Sequence, residues 1–242
     1  MVHGCISAEN EFKAWKTRKN GIGFAKDSEN LELYSFVDCF EIILCKFGYL
    51  LFVGSRDKSI QAWNLKDLKT PFLQKSDVHT SWIKNLVGLS KNQLLSFGYD
   101  GSITLWDIEF QNLQRISTIC LKSIVLDFAL NSFHLFTLSG DNIIRMISHS
   151  TNKLILKWAV TYFKSQTTAI TCNEMNDTVF YCSNKNGWIA SLNTKNWKKL
   201  NSIKLENITV LTMKLINNEI YCGLDNGDLI ILSSTLKILR VQ

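Results

Sequence analysis

The chain has 242 residues, 46% apolar and 11% aromatic, with 27 basic side chains against 21 acidic and a formal charge of +6. These proportions exclude a disordered or collagen-like chain and allow one sizeable core, and the length lies within the range of a single all-β domain. The strongest apolar run, residues 40 to 54, is broken by Lys46, well short of the roughly 18 apolar residues a membrane span requires.

In chain order, the amino terminus MVHGCISAEN lacks both the basic flank and the apolar stretch of a secretory signal. The expectation is an intracellular location, cytoplasmic or nuclear, with no membrane partner. A thirteen-residue phrase then appears, two short apolar strands around a tight turn, as HGCISAENEFKAW at 3 to 15. Residues 20 to 38 fit the repeat least well and read as an extended loop. The phrase returns at 51 to 63, 94 to 106, 135 to 147, 180 to 192 and 220 to 232, with starts 48, 43, 41, 45 and 40 residues apart. Between the copies, 82 to 89, 123 to 130, 168 to 175 and 208 to 215 read as inner strands preceding their hairpins. Residues 153 to 160, 197 to 205 and 236 to 241 read as outer strands, because charge alternates with apolar side chains there.

That interval predicts four-stranded units. Residues 1 to 242 thus form one all-β domain, a β-propeller of about six four-stranded antiparallel blades. The first copy starts at residue 3, so the first blade is incomplete. Either a six-bladed ring closes around it, or the chain is part of a longer seven-bladed one. Region 1 to 38 is expected to be the least ordered.

The columns of the phrase meet physical demands. Column seven holds Glu9, Asp57, Asp100, Asp141, Asn186 and Asn226, and column eight holds Asn10, Lys58, Gly101, Asn142, Gly187 and Gly227. A two-residue hairpin turn needs positive φ at both, which Asn, Asp and Gly tolerate, so only Asp57-Lys58 fits in part. Columns ten and thirteen are apolar in every copy, and three residues apart they face opposite sides of a strand. Both faces of each hairpin are therefore expected to be covered.

One copy resembles the WD-repeat family, from His79 through LLSFGYDGSITLW to the Trp106-Asp107 dipeptide. In that family a His ahead of the inner strand, a second-strand Ser or Thr, the turn Asp and the third-strand Trp form a hydrogen-bonded chain. The resemblance assigns this role to His79, Ser96, Asp100 and Trp106. Val78 stands where the family has Gly, and no other copy keeps all four. A Ser, a His and an Asp also have the composition of a nucleophilic triad, but their hairpin spacing matches the structural chain. No catalytic residue is therefore assigned and no enzyme is expected.

No cofactor or metal is expected either. The seven cysteines contain no C-x-x-C pair, and paired ligand spacing is what a structural zinc site requires. Cys5, Cys182 and Cys222 share column three with Val53, Ser96 and Thr137, a place for small buried side chains. All seven read as reduced structural thiols.

The resemblance implies a non-catalytic scaffold or adaptor mediating protein–protein interactions in an intracellular multisubunit complex. In such propellers partners commonly sit on the loops between second and third strands. The residue before each turn acid or amide includes Arg56, Tyr99 and Lys185, and Trp82 follows His79. Trp, Tyr and Arg are the types that most often dominate interface energy, so these four are the candidate partner-binding residues. The plainer alternative leaves Arg56 and Lys185 merely solvated and Trp82 in inner-strand core. A second function is an RNA-associated adaptor in ribosome or transfer-RNA maturation. Its candidates are Trp197, Lys198 and Lys199, since basic groups beside an aromatic can follow phosphates and stack a base. Lys13, Lys16, Arg18 and Lys19 form a similar run. Against this reading, +6 is modest for a nucleic-acid binder, and lysines on outer strands also protect edges from pairing with other chains. The paired-arginine motif of phosphoinositide-binding propellers is absent.

Overall fold

Column eight sets each described hairpin turn. In a computed structural model, which describes residues 2–6, 11–17, 24–32, 36–149, 152–174 and 178–242, the first three segments as backbone only, the described copies of that column all have positive φ. The values are 69° at Lys58, 76° at Gly101, 61° at Asn142, 79° at Gly187 and 89° at Gly227. Column seven does not share this conformation, which corrects the expected two-residue turn. Three residues loop out, as in Arg56-Asp57-Lys58, closed by Lys58 N–H to Ser55 O at 3.2 Å and Ser55 N–H to Ser59 O at 3.2 Å. A type I turn followed by one left-handed residue has this form. Column seven carries Asp or Asn for another reason: its side-chain oxygen accepts the N–H two residues on. Asp57 serves Ser59, Asp100 serves Ser102, Asp141 serves Ile143 and Asn226 serves Asp228, at 2.9 to 3.2 Å. In the remaining hairpin Asn184 does this work, accepting from Asn186 and Trp188 at 3.0 Å each.

Strand pairing is wholly antiparallel between consecutive strands. The first sheet has three strands: β1 Val2–Ile6, β2 Glu11–Thr17 and β3 Phe24–Glu32. Five sheets of four follow. They are β4 Val37–Cys45, β5 Gly48–Ser55, β6 Ile60–Asn64 and β7 Leu73–Lys75; β8 Ile83–Ser90, β9 Gln93–Gly98, β10 Ser102–Glu109 and β11 Asn112–Cys120; β12 Val125–Leu130, β13 His134–Ser139, β14 Ile144–Ser148 and β15 Ile155–Val160; β16 Thr167–Cys172, β17 Val179–Asn184, β18 Trp188–Asn193 and β19 Lys199–Lys204; and β20 Val210–Ile216, β21 Glu219–Leu224, β22 Leu229–Ser233 and β23 Ile238–Val241. Among the described residues there is no helix.

Register is identical in all six hairpins. Column one lies opposite column thirteen as His3↔Trp15, Leu51↔Trp63, Leu94↔Trp106, Leu135↔Ile147, Phe180↔Leu192 and Ile220↔Leu232. A slip of one residue would turn every apolar set to the opposite face, so two-sided burial locks the pairing. Column thirteen is buried in the five copies with described side chains, and so is column three (Val53, Ser96, Thr137, Cys182, Cys222).

Several sequence expectations change. Residues 20 to 38, read as a loop, contain β3, because β2 offers a free edge whose ladder runs from Glu11↔Glu32 to Thr17↔Phe24. Of the region expected to be the least ordered, residues 1, 7–10, 18–23 and 33–35 lie outside the described residues. The run at 40 to 54 folds back on itself as β4 and β5, with Lys46 and Phe47 at the turn. Cys45, Cys172, Cys182 and Cys222 are buried, but Cys120 is exposed at the end of β11. Burial pushes the Cys39, Cys172 and Cys222 thiols up to about 12, which keeps them protonated and inert.

The chain divides into two compact units, Met1–Lys122 and Ser123–Gln242. In the first, Leu50, Phe52 and Ile60 of one sheet meet Leu86, Leu94 and Trp106 of the next. In the second, Phe136, Leu138 and Ile144 join Ile170, Phe180 and Leu192, and Ile189 joins Val210, Ile220 and Leu232. Full burial of one such side chain contributes about 1.5–3 kcal/mol. Among the described residues, polar side chains tie β4 to β8, β12 to β16 and β16 to β20. Glu41 accepts from Gly88 N–H at 3.2 Å, Asp127 from Ile170 N–H at 2.8 Å, and Thr171 from Leu215 N–H at 3.1 Å.

Candidate functional site

The loop from His79 to Trp82 is held to the β9–β10 hairpin by a directed chain of hydrogen bonds. Trp106 Nε1–H donates to Ser96 Oγ at 2.8 Å, and Ser96 Oγ lies 2.7 Å from His79 Nε2. On the other side of the ring, His79 Nδ1 is 2.7 Å from Ser102 Oγ, which donates to Asp100 Oδ1 at 2.6 Å. The bonds satisfy every group only if His79 is neutral with its proton on Nδ1 and Ser96 donates to Nε2. Asp100 also accepts from Thr80 N–H at 2.7 Å and Thr80 Oγ1 at 2.9 Å. The four residues named from sequence thus meet, with Ser102 inserted between His79 and Asp100.

Electrostatics support the neutral imidazole. Burial pushes the His79 pKa down, opposed by the nearby Asp100. The 3.5 Å approach of Nδ1 to Asp100 Oδ1 becomes an ion pair only on protonation. For Asp100, burial pushes the pKa up, but the bonds from Ser102 and Thr80 outweigh it and hold it at about 2. Ser96 is fully buried, with its oxygen between Trp106 and His79, so it offers no face to a substrate. Gly98 lies directly beneath: a Cβ there would collide with the Asp100 and His79 side chains.

This clamp positions the rim. In every described hairpin the residue before the turn acid or amide donates its N–H to the carbonyl just ahead of the inner strand. The pairs are Arg56 to Phe36, Tyr99 to Trp82, Gly140 to Ile124, Lys185 to Gln166 and Asp225 to Thr209, at 2.9 to 3.0 Å. In the first unit these pairs are aromatic and cationic, and they touch. The Arg56 guanidinium lies 4.7 Å from the Trp82 ring centre and 5.5 Å from that of Phe36. Trp82 and Tyr99 meet edge to face at 5.7 Å. Asp38 takes both Arg56 Nε, at 3.0 and 3.1 Å, and a terminal nitrogen, at 3.0 Å. This bond pushes the guanidinium pKa still higher.

All four side chains remain accessible. Phe36 is 60% exposed, Trp82 44% and Tyr99 42%, and Arg56 is exposed at the turn. Trp82 is therefore not inner-strand core, because β8 begins one residue later at Ile83. Lys185 occupies the same column in the second unit, but its companions there are the polar Gln166 and Thr209, which donates Oγ1–H to Lys185 O at 3.1 Å. Phe36, Asp38, Thr80 and Ser102 escaped sequence reading. The signal that was available for Phe36 was its place just ahead of an inner strand, the place that also holds Trp82.

The proposed RNA strip is arranged differently. Trp197, in a left-handed conformation with φ 56°, packs against Phe180 at 6.0 Å and Phe136 at 6.5 Å. Its ring belongs to the apolar cluster of the second unit, while Lys198 and Lys199 are exposed. The side chains of Lys13, Lys16, Arg18 and Lys19 lie outside the described residues. Among the described residues, no group of three His, Cys, Asp or Glu could hold a metal ion, and no helix is long and apolar enough to cross a membrane.

No family model matches the chain. Over 138 residues it is 25% identical to F-box/WD repeat-containing protein 9 of Bos taurus, covering 49% of this chain and 28% of that protein. Over 85 residues it is 32% identical to apoptotic protease-activating factor 1 of Rattus norvegicus, covering 35% of this chain and 6% of that one. The chain thus spans little more than a quarter of the first relative's length and far less of the second's. Among solved structures it is similar to a chain of the mitotic checkpoint complex, with a TM-score of 0.76 at 17% identity over 99% of this chain and 73% of that one. It is also similar to Sqt1 of Saccharomyces cerevisiae, with a TM-score of 0.77 at 14% identity over 98% and 69%. At these identities the structural likeness is one of fold.

Proposed function

The chain is a divergent WD-repeat β-propeller, and from that premise we propose that it is a non-catalytic scaffold holding a partner protein on Phe36, Arg56, Trp82 and Tyr99. The observation that carries this reading is the convergence of an arginine and three aromatics, all exposed, on backbone fixed by hydrogen bonds. A rigid surface loses little conformational freedom on binding, and preorganisation of this kind raises affinity. Trp, Tyr and Arg truncations at such centres commonly cost 2 kcal/mol or more. Asp38 and Trp82 hold Arg56 in place, so its planar group presents an ordered edge rather than a mobile charge.

A multisubunit complex is the setting this reading favours, in line with the mitotic checkpoint complex that contains a structural neighbour. The test is affinity capture from native cells with wild type, Trp82→Ala and the pair Arg56→Ala with Tyr99→Ala. Loss of the same partners from both variants, with melting unchanged, is expected. Recovery of the full partner set by folded variants would remove this surface from the function.

A further inference from the structure

The first unit carries a second aromatic cluster, at the other ends of the same strands. Phe47 sits in the β4–β5 turn, Phe72 in the β6–β7 connection and Phe110 in the β10–β11 turn. Their ring centres lie 5.3 Å apart for Phe47 and Phe72, and 5.7 Å from each of these to Phe110. Phe47 and Phe72 rest on the apolar core between the two sheets. Asn64 Nδ2–H donates to Phe47 O at 3.2 Å, and Phe72 N–H to Ala62 O at 2.7 Å. Gln111 takes a φ of 55° to turn the chain beside Phe110. The result is a fixed base with one ring, Phe110, left 66% exposed.

Lysines cluster at the same end of the unit. Lys46 Nζ stands 5.1 Å from the Phe47 centre, and Lys75 Nζ reaches Asn112 Oδ1, in the strand after Phe110, at 3.4 Å. Lys66 and Lys69 belong to the connection that carries Phe72, and Lys91 to the β8–β9 turn at the same end. The acids here are Asp67, Asp107, Glu109 and Glu41, which lines a cleft with Lys91. Three of them are engaged internally: Asp67 accepts from Lys69 N–H and Thr70 Oγ1, Glu109 from Asn112 Nδ2, and Glu41 from Gly88 N–H. Among the described residues none of the five lysines forms an ion pair.

We propose that this end of the first unit is a second docking surface, which receives an acidic segment of a partner protein by seating an apolar side chain on Phe110 and carboxylates on the lysines. Charge complementarity selects the occupant. The ring arrangement favours a peptide over a nucleic acid, because the three rings close on one another and leave a single face, whereas strand binding stacks successive bases along a groove. The surface is separate from Phe36, Arg56, Trp82 and Tyr99, and it makes the scaffold bivalent.

The test uses the full chain and a fluorescein-labelled peptide of Asp and Glu with a central Phe, a control with Lys in place of every acid, and a uridine oligonucleotide. The acidic probe is expected to bind, more weakly as salt rises. Its affinity should fall by about tenfold or more in Phe110→Ser and in Lys46→Glu with Lys75→Glu, while Trp82→Ala binds as wild type does. Melting checks the fold, which exposed Phe110 does not sustain. Absence of acidic-probe binding, equal binding of the Lys control, wild-type affinity in both variants, or lysine-dependent binding of the oligonucleotide alone would each overturn the proposal.

Discussion

Ser96→Ala removes one oxygen and strands two buried groups. That oxygen receives Trp106 Nε1–H at 2.8 Å and meets His79 Nε2 at 2.7 Å, in a side chain with no solvent exposure. Each buried group left without a partner costs about 1–3 kcal/mol, so the substitution should destabilise the first unit by about 2–6 kcal/mol. A surface Ser→Ala change stays within about 0.5 kcal/mol. Urea unfolding followed by tryptophan fluorescence measures the shift, with a constant m-value showing that the transition itself is unchanged. In a Trp106→Phe background one of the two stranded groups is already gone, so Ser96→Ala should cost about 1–2 kcal/mol less there. A cost below about 0.5 kcal/mol, or strict additivity of the two substitutions, would refute the hydrogen-bonded chain as a stabilising unit.

Thr137 occupies the same column as Ser96, but its buried hydroxyl has no hydrogen-bond partner among the described residues. Thr137→Val should therefore leave stability unchanged or raise it by up to about 1 kcal/mol in the same assay. Lys58 holds a φ of 69° where a side chain costs about 1–2 kcal/mol. Lys58→Gly should raise the urea midpoint by the equivalent of about 0.5–1 kcal/mol, after the extra freedom of glycine in the unfolded chain is subtracted. Burial lowers the folded pKa of both His79 and His149, so between the folded values and about 6.5 the unfolded chain binds more protons. Stability should be level above pH 7 and fall as pH drops below about 6.5, and His79→Gln with His149→Gln should flatten that slope. The Asp100 contribution should survive until pH falls below about 3.9 toward its folded value of about 2.

The repeat was readable because its causes are local. Asp or Asn in column seven and a left-handed residue in column eight make a turn from neighbouring atoms, and the apolar columns mark both faces of the strands it joins. Turn length is less legible, since Asp and Asn tolerate positive φ, as a two-residue turn needs, and also accept N–H bonds two residues on, as the three-residue turn uses. Strand positions came within a few residues, as with 208 to 215 against β20 at Val210–Ile216. The segment holding β3 escaped because its pattern is weak and its partner strand supplies the ladder. Trp197 looked like an exposed platform between lysines, yet two phenylalanines from other strands take its ring.

Sequence alone determined that six like hairpins follow one another in a shared register, because turn chemistry and alternation act over a dozen residues of continuous chain. Only the tertiary structure decided which exposed side chains converge. Phe36 and Arg56 lie 20 residues apart in the chain and Trp82 another 26 beyond, and they meet because two sheets bury a common core. Such meetings depend on packing between separate strands, and no periodicity along one strand encodes that.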